Sequence, residues 1–144
     1  MSFVTLRAAL AATCLLATAT TAHAQALAYH ATMTPANEVV PSVSTGTGDC
    51  AASVDGATHT LSYTLSWSGL TGPATNVHFH GPGAAGVSAP VAIPIATTAT
   101  SPVTGTAAVT ADQEKQIADG LWYCNVHTAA NPKGEVRGQL APAK

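Results

Sequence analysis

Three histidines stand in a pattern that could bind a metal ion. His78 and His80 lie two residues apart, and His127 occupies a similar strand-like segment near the C-terminus. Side chains alternate between the two faces of a strand, so the pair would share the outer face while Val77 and Phe79 turn to the core. Neutral imidazole binds copper, zinc and nickel, and three converging imidazoles without a thiolate or an acidic cluster suit copper in particular. The pattern predicts one copper ion bound by surface histidines of two strands, with zinc as the alternative metal.

A fourth ligand is not marked by a motif. His30 lies on the outward phase of the first predicted strand and Glu38 in the irregular segment after it. Either side chain could reach the ion, or water could complete the site. Asn125 shares the outward phase with His127, and we expect it to support that histidine by a hydrogen bond. The alternative is that all three histidines are half-exposed strand residues that bind no metal.

Two further charged residues, Glu135 and Arg137, are predicted to point outward from the last strand. They could act as an electrostatic gate or hold a histidine in place, or they could form a solvated ion pair. The sequence has no Gly-x-Ser-x-Gly element and no phosphate-binding loop, and its acidic residues are scattered. It therefore leaves enzymatic activity uncertain and favours a binding protein over an enzyme.

Period-two alternation predicts the strands that must position these side chains. It is clearest in the third strand, where Leu61, Tyr63, Leu65 and Trp67 share one face. The predicted strands cover residues 27–33, 45–54, 59–67, 74–80, 91–95, 103–110, 121–128 and 135–140. Prolines at positions 90 and 94 make the fifth an edge strand.

One short helix is predicted between the sixth and seventh strands. Thr110 is a plausible N-cap with Gln113 three residues later, and Gly120 stands where a glycine would end the helix. Longer connections follow the third and sixth strands. The prediction is an all-β fold, an eight-stranded Greek-key sandwich or flattened barrel with one short helix before strand seven.

The first 24 residues have the features of a signal peptide. Arg7 precedes a short apolar run, and the small-x-small triplet Ala22-His23-Ala24 resembles a cleavage site. The apolar run is too short to span a bilayer. We therefore expect a signal peptide over residues 1–24, a single domain over 25–144, and a periplasmic or secreted protein without a membrane span.

Cleavage would leave two cysteines, Cys50 and Cys124, each in the apolar phase of its segment. In an oxidising compartment a buried disulfide between an early and a late strand is favoured, with two free buried thiols as the alternative. Only 8% of the residues are charged and the net charge is −2. This composition gives no sign of nucleic-acid binding, and no protein partner can be named from it.

The order of motifs resembles the CHRD domain, a family first described in chordin and common among exported bacterial proteins. The resemblance is carried by the segments 37–41, 69–73, 77–82 and 122–138, and it covers the chain from Leu27 to about Leu140. In chordin the domain belongs to an extracellular protein that binds growth factors. The resemblance thus implies an alternative function as a metal-free extracellular interaction module, with the loop 81–86 contacting a partner.

The chain is also similar, more loosely, to Cu,Zn superoxide dismutase. That enzyme uses paired strand histidines, a later histidine and a downstream arginine on an eight-stranded Greek-key barrel, which His78, His80, His127 and Arg137 would match. No bridging histidine follows His80, and no zinc-binding loop is present in the sequence. The resemblance implies a superoxide-dismutase-like fold and, if the protein is an enzyme, a copper-only oxidoreductase.

Overall fold

The strands form two antiparallel sheets in a computed structural model that describes residues 25–144. The predicted signal peptide lies outside the described residues. The strands are β1 (Leu27–Met33), β2 (Thr47–Asp55), β3 (Thr60–Ser68), β4 (Ala74–His80), β5 (Val91–Thr97), β6 (Val103–Ala108), β7 (Tyr123–Thr128), β8 (Val136–Gln139) and β9 (Ala141–Pro142); the helix α1 is Ala111–Ala118. A single 3-10 turn, Pro35–Asn37, follows β1.

The two sheets have the strand orders β6-β3-β2-β1-β9 and β5-β4-β7-β8. The chain changes sheets between β3 and β4, between β5 and β6, between β6 and β7 through α1, and between β8 and β9, which gives Greek-key connectivity. The predicted two-sheet sandwich is confirmed, and β5 is an edge strand as its prolines indicate. The two-residue β9 was not predicted, because so short a segment shows no alternation.

The helix forms where the capping residues predict it. The Thr110 side chain accepts a hydrogen bond from the Gln113 amide, and the Gln113 side chain accepts one from the Thr110 amide, completing the capping box. At the other end Gly120 has a φ of 71° and its amide donates to the carbonyl of Ile117. Ile117 is fully buried and anchors the helix to the core.

The core lies between the sheets and is crossed by one disulfide. The largest fully buried apolar side chains are Trp122, Phe79, Met33, Leu61, Leu65, Ile117, Leu140, Val77, Val126 and Val136. Cys50 on β2 is bonded to Cys124 on β7, with a Cα–Cα distance of 6.6 Å. The predicted link between an early and a late strand is therefore confirmed, and it joins the two sheets.

β4 and β7 are paired at the centre of the second sheet, and both place alternate side chains in the core. Val77 and Phe79 of β4 and Val126 of β7 are fully buried there. The intervening residues consequently lie on the outer face of the sheet. Among residues 25–144, no helix has the length and apolar character needed to cross a bilayer.

Candidate metal centre

The outer face of β4 and β7 brings the three predicted histidines together. His78 is paired in register with Asn125, and His80 with Tyr123. His127 lies two residues beyond Asn125 and therefore reaches His78 diagonally across the strands. Ring centroids are 5.4 Å apart for His78 and His80, 5.1 Å for His78 and His127, and 6.1 Å for His80 and His127.

Each histidine presents one ring nitrogen to this cluster. One potential ligand atom from each residue lies within 4.8 Å of those of the other two. Within the described part of the chain, the buried side-chain nitrogen and oxygen atoms without a hydrogen-bond partner are Nδ1 of His78, Nε2 of His80 and Nε2 of His127. A buried polar atom without a partner is costly, so three such atoms on neighbouring side chains point to a binding site.

Two main-chain carbonyls fix the orientation of two of the rings. Nδ1 of His80 is 2.9 Å from the carbonyl oxygen of Ala89, and Nδ1 of His127 is 3.1 Å from that of Pro132. A carbonyl can only accept, so each Nδ1 carries the proton and each Nε2 keeps its lone pair. This is the arrangement in which histidine binds a metal through Nε2.

The loops that supply these carbonyls also cover the histidines. His80 and His127 each expose only 9% of their surface. The prediction of surface histidines is therefore wrong for both, because alternation identifies the face of the sheet but not the loops that fold over it. His78 is partly exposed.

Burial keeps the imidazoles neutral. Burial, together with the smaller effects of the neighbouring His127 and His80, lowers the pKa of His78 to about 4. Burial also lowers the pKa of His80 and of His127, although the carbonyls of Ala89 and Pro132 act against it. At neutral pH all three rings are therefore in the unprotonated form that metal binding requires.

Tyr123 also supports the cluster, although no motif marks it. Its ring is stacked on that of His80 at 4.8 Å with an interplanar angle of 1°. The guanidinium carbon of Arg137 lies 3.5 Å from the centroid of the Tyr123 ring. Alternation along β7 does place Tyr123 on this face, because Tyr123 and His127 are four residues apart in the same strand.

Arg137 is buried instead of solvated. It exposes 2% of its surface, and its Nη2 donates to the carbonyls of Ala84 and Val87 and to Oε1 of Gln139. The loop that follows β4 folds over the outer face of β8 and covers the guanidinium. The predicted outward phase is correct, but the alternative of a solvated ion pair with Glu135 is wrong.

Glu135 is also fully buried and lies away from the histidines. Its carboxylate accepts hydrogen bonds from Ser44 Oγ, from the amide and hydroxyl of Thr71, from Thr128 Oγ1 and from Asn131 Nδ2, at 2.5 to 2.9 Å. These donors come from three separate loops and the end of β7. The structure gives Glu135 no hydrogen bond to a histidine, and its role is to hold these segments together.

Asn125 contacts Glu38, and it has no hydrogen bond to His127 of the kind we predicted. Its Nδ2 donates to Oε1 of Glu38 at 2.5 Å and to the carbonyl of Val136 at 3.2 Å. Burial raises the pKa of Glu38 to about 7, against the opposing effects of the Asn125 hydrogen bond and the charge of Arg137. Glu38 lines a cavity with His80 but is not part of the histidine cluster.

His30 is not brought to the cluster. It lies on β1 in the other sheet, where its Nε2 is 3.3 Å from Oδ1 of Asp49, and both side chains are about half exposed. The structure therefore offers no support for His30 as a fourth ligand.

Gly134 is required where the loop passes the Glu38–Asn125 pair. Its φ is 126°, and a Cβ there would lie 2.6 Å from both carboxylate oxygens of Glu38 and 2.7 Å from Asn125 Nδ2. We expect Gly134→Ala to lower the free energy of unfolding by about 2 to 4 kcal/mol, from backbone strain plus displacement of Glu38. Chemical denaturation would measure this change.

Gly86→Ala is the matched control for Gly134→Ala. Gly86 also has a positive φ of 78°, but an added Cβ would meet no atom within 4 Å. It should show the backbone strain alone, about 1 kcal/mol. Equal effects of the two substitutions would contradict a role for the Glu38–Asn125 contact.

Comparison with known protein families gives one match for this chain. The CHRD domain family matches residues 29–140, most of the part that the structure describes. Neither the curated proteins nor the solved structures include a significant match to this chain. The motifs that carried the resemblance, at 77–82 and 122–138, contribute the two histidines of β4, His127 and Arg137 to the second sheet, and the motif at 37–41 contributes Glu38 to the cavity beside His80. The chain therefore belongs to the CHRD domain family.

Proposed function

We propose that this CHRD domain is exported to the periplasm or the cell exterior and binds a single copper ion through His78, His80 and His127. The observation that carries the proposal is the set of three buried, unpartnered imidazole nitrogens within 4.8 Å of one another. The disulfide between Cys50 and Cys124 supports an oxidising compartment. The function would be copper sequestration or redox protection.

The donor set fits a copper ion after a small adjustment. Metal–nitrogen bonds of about 2.0 to 2.1 Å limit two ligands of one ion to a separation of roughly 4.2 Å. The present separations of up to 4.8 Å exceed this distance only slightly, so a small rotation of the rings would close the site. The carbonyls that hold His80 and His127 would limit how far those two rings turn.

Three imidazoles favour copper over zinc on affinity. Copper(II) stands above zinc in the order of affinities for nitrogen ligands, and the cluster contains no thiolate or carboxylate. Bound copper would supply one-electron redox chemistry. The chain contributes three neutral ligands, the tautomers of two of them, and a partly buried setting that restricts access of water.

Copper titration of the purified protein tests the proposal. We expect one equivalent to bind with a nitrogen-rich electron spin resonance signal, and to raise the free energy of unfolding by about 3 kcal/mol at copper concentrations a hundredfold above the dissociation constant. His78→Ala should abolish this signal. His30→Ala is the matched control, because His30 is an exposed histidine of the other sheet, and it should bind copper as the wild type does.

Two results would contradict copper binding. One is the absence of a one-equivalent site in the wild-type protein, and the other is equal copper binding by His78→Ala and His30→Ala. If chelators also leave the melting temperature unchanged, the metal-free interaction module becomes the better interpretation. A superoxide assay on copper-loaded protein would separate simple binding from dismutase-like turnover.

A further inference from the structure

A cavity beside the histidine cluster has the chemical character of an anion site. Its volume is about 270 Å³, and its lining includes Val39, Val40, His80, Lys133 and Arg137. A water molecule occupies about 30 Å³ in the liquid, so the cavity can hold an organic molecule of several heavy atoms. Its two cationic residues are Arg137 on β8 and the exposed Lys133 in the loop before β8.

The Arg137 guanidinium has N–H groups that are not used in hydrogen bonds within residues 25–144. Every hydrogen bond of its guanidinium leaves from Nη2, so Nε and Nη1 have no acceptor among the described residues. The ion pairs of residues 25–144 are His30–Asp49, His59–Glu114 and Lys115–Asp119, and none involves Arg137. Arg137 exposes only 2% of its surface. The Glu38 carboxyl group interacts with its charge but forms no ion pair with it, so the cost of burying the guanidinium is only partly offset.

The guanidinium is also held in place. Tyr123 packs against it, and the carbonyls of Ala84 and Val87 fix Nη2. The two edges through which a guanidinium can hold both oxygens of a carboxylate share Nη2, so the free Nε and Nη1 each offer a single charge-assisted hydrogen bond to a carboxylate oxygen. Because its orientation is already set, little conformational entropy is lost when a ligand binds.

Two valines at the mouth of the cavity favour a ligand with an apolar part. Val39 and Val40 line the cavity and expose 47% and 67% of their surface. They offer contact to a short hydrocarbon chain, which a bare inorganic anion does not have. Glu38 also lines the cavity, and burial raises its pKa to about 7, so below that pH it does not repel an anion.

We propose that this cavity binds a small organic monocarboxylate, with a carboxylate oxygen on Arg137 and its hydrocarbon end against Val39 and Val40. A neighbouring cavity of about 350 Å³ is also lined by Arg137 and Glu38, but it has neither the lysine nor the exposed valines. The proposed site lies next to His80 and needs no metal. It therefore goes beyond the copper proposal and can be tested apart from it.

Propionate, titrated into metal-free protein at pH 6 and followed by NMR, tests the site. We expect saturable binding with shifts at His80 and Val40, and no binding of the neutral isostere propionamide. Arg137→Gln should weaken propionate binding by at least about tenfold, as expected for the loss of a charge-assisted hydrogen-bonded pair.

A surface pair of variants keeps the test independent of folding. Val40→Asp places a negative charge at the cavity mouth and should weaken propionate binding about fivefold, the size of one close like-charge interaction in water. Val43→Asp is the matched control, since Val43 is fully exposed in the same loop and does not line the cavity. Equal effects of these two variants, equal binding of propionamide, or no propionate binding at millimolar concentrations would overturn the proposal.

Discussion

Replacement of Glu135 by alanine is expected to lower the free energy of unfolding by about 3 kcal/mol or more, the cost of breaking a buried hydrogen-bond network. The buried carboxylate accepts five hydrogen bonds from Ser44, Thr71, Thr128 and Asn131. Alanine would leave these donors without an acceptor inside the protein. Urea denaturation of wild type and variant measures the difference.

Two further variants show whether the stability lost in Glu135→Ala comes from the hydrogen-bond network. Glu135→Gln keeps the shape but replaces one acceptor oxygen by an NH₂ group, so its effect should be intermediate. Glu114→Ala is the control for removing a carboxylate, because Glu114 forms only a surface pair with His59 and should cost less than about 1 kcal/mol. A Glu135→Ala variant no less stable than Glu114→Ala would contradict the network.

The lowered pKa of Glu135 predicts that the stability of the protein depends on pH. Burial alone would raise the pKa of Glu135, but hydrogen bonds from Ser44, Thr128 and Thr71 outweigh it and lower the pKa from 4.5 to about 2. A carboxyl group with a lowered pKa stabilises the folded state above its unfolded pKa, and this contribution is lost as the pH falls from 4.5 to about 2. Glu135→Gln should lose less stability than the wild type across this range. Parallel curves would contradict the assignment.

Removal of the disulfide is expected to have the largest effect of all. Cys50 and Cys124 are 74 residues apart, and a loop of that length predicts a loss of about 4 kcal/mol in a Cys50→Ala/Cys124→Ala variant. The reason is that the unfolded chain regains the freedom that the bond removes. Guanidinium denaturation of the oxidised wild type and of the double variant measures this.

Reduced wild-type protein is the control for the disulfide. It lacks the bond but keeps both sulfur atoms in the core, so it should be nearly as unstable as the double variant. A double variant that is much less stable than the reduced protein would assign the effect to packing. A double variant as stable as the oxidised protein would contradict the prediction.

The sequence predicted the parts of this site that depend on alternation along a strand. Val77 and Phe79 are apolar and His78 and His80 are not, so β4 could be oriented without coordinates. His127 could be assigned to the same face because β7 shows the same phase. The capped helix and the disulfide were predictable for similar local reasons.

The sequence did not reveal what covers that face. The carbonyls of Ala89 and Pro132 reach the histidines because two loops fold back over the sheet, and no side-chain pattern records the path of a loop. For the same reason Arg137 and Glu135 were interpreted as solvent-facing residues. Both are charged and lie in an alternating segment, which is the usual signature of an exposed strand face.

The carbonyl contacts of His80 and His127 have a consequence for how such a site can change. Both acceptors belong to the backbone, so the support of the rings is independent of the side chains at positions 89 and 132. Many different amino acids could occupy these two positions without any loss of ring alignment, provided that the main chain keeps its course. The side chains at these two positions can therefore vary in a protein of this family while the geometry of the centre stays the same.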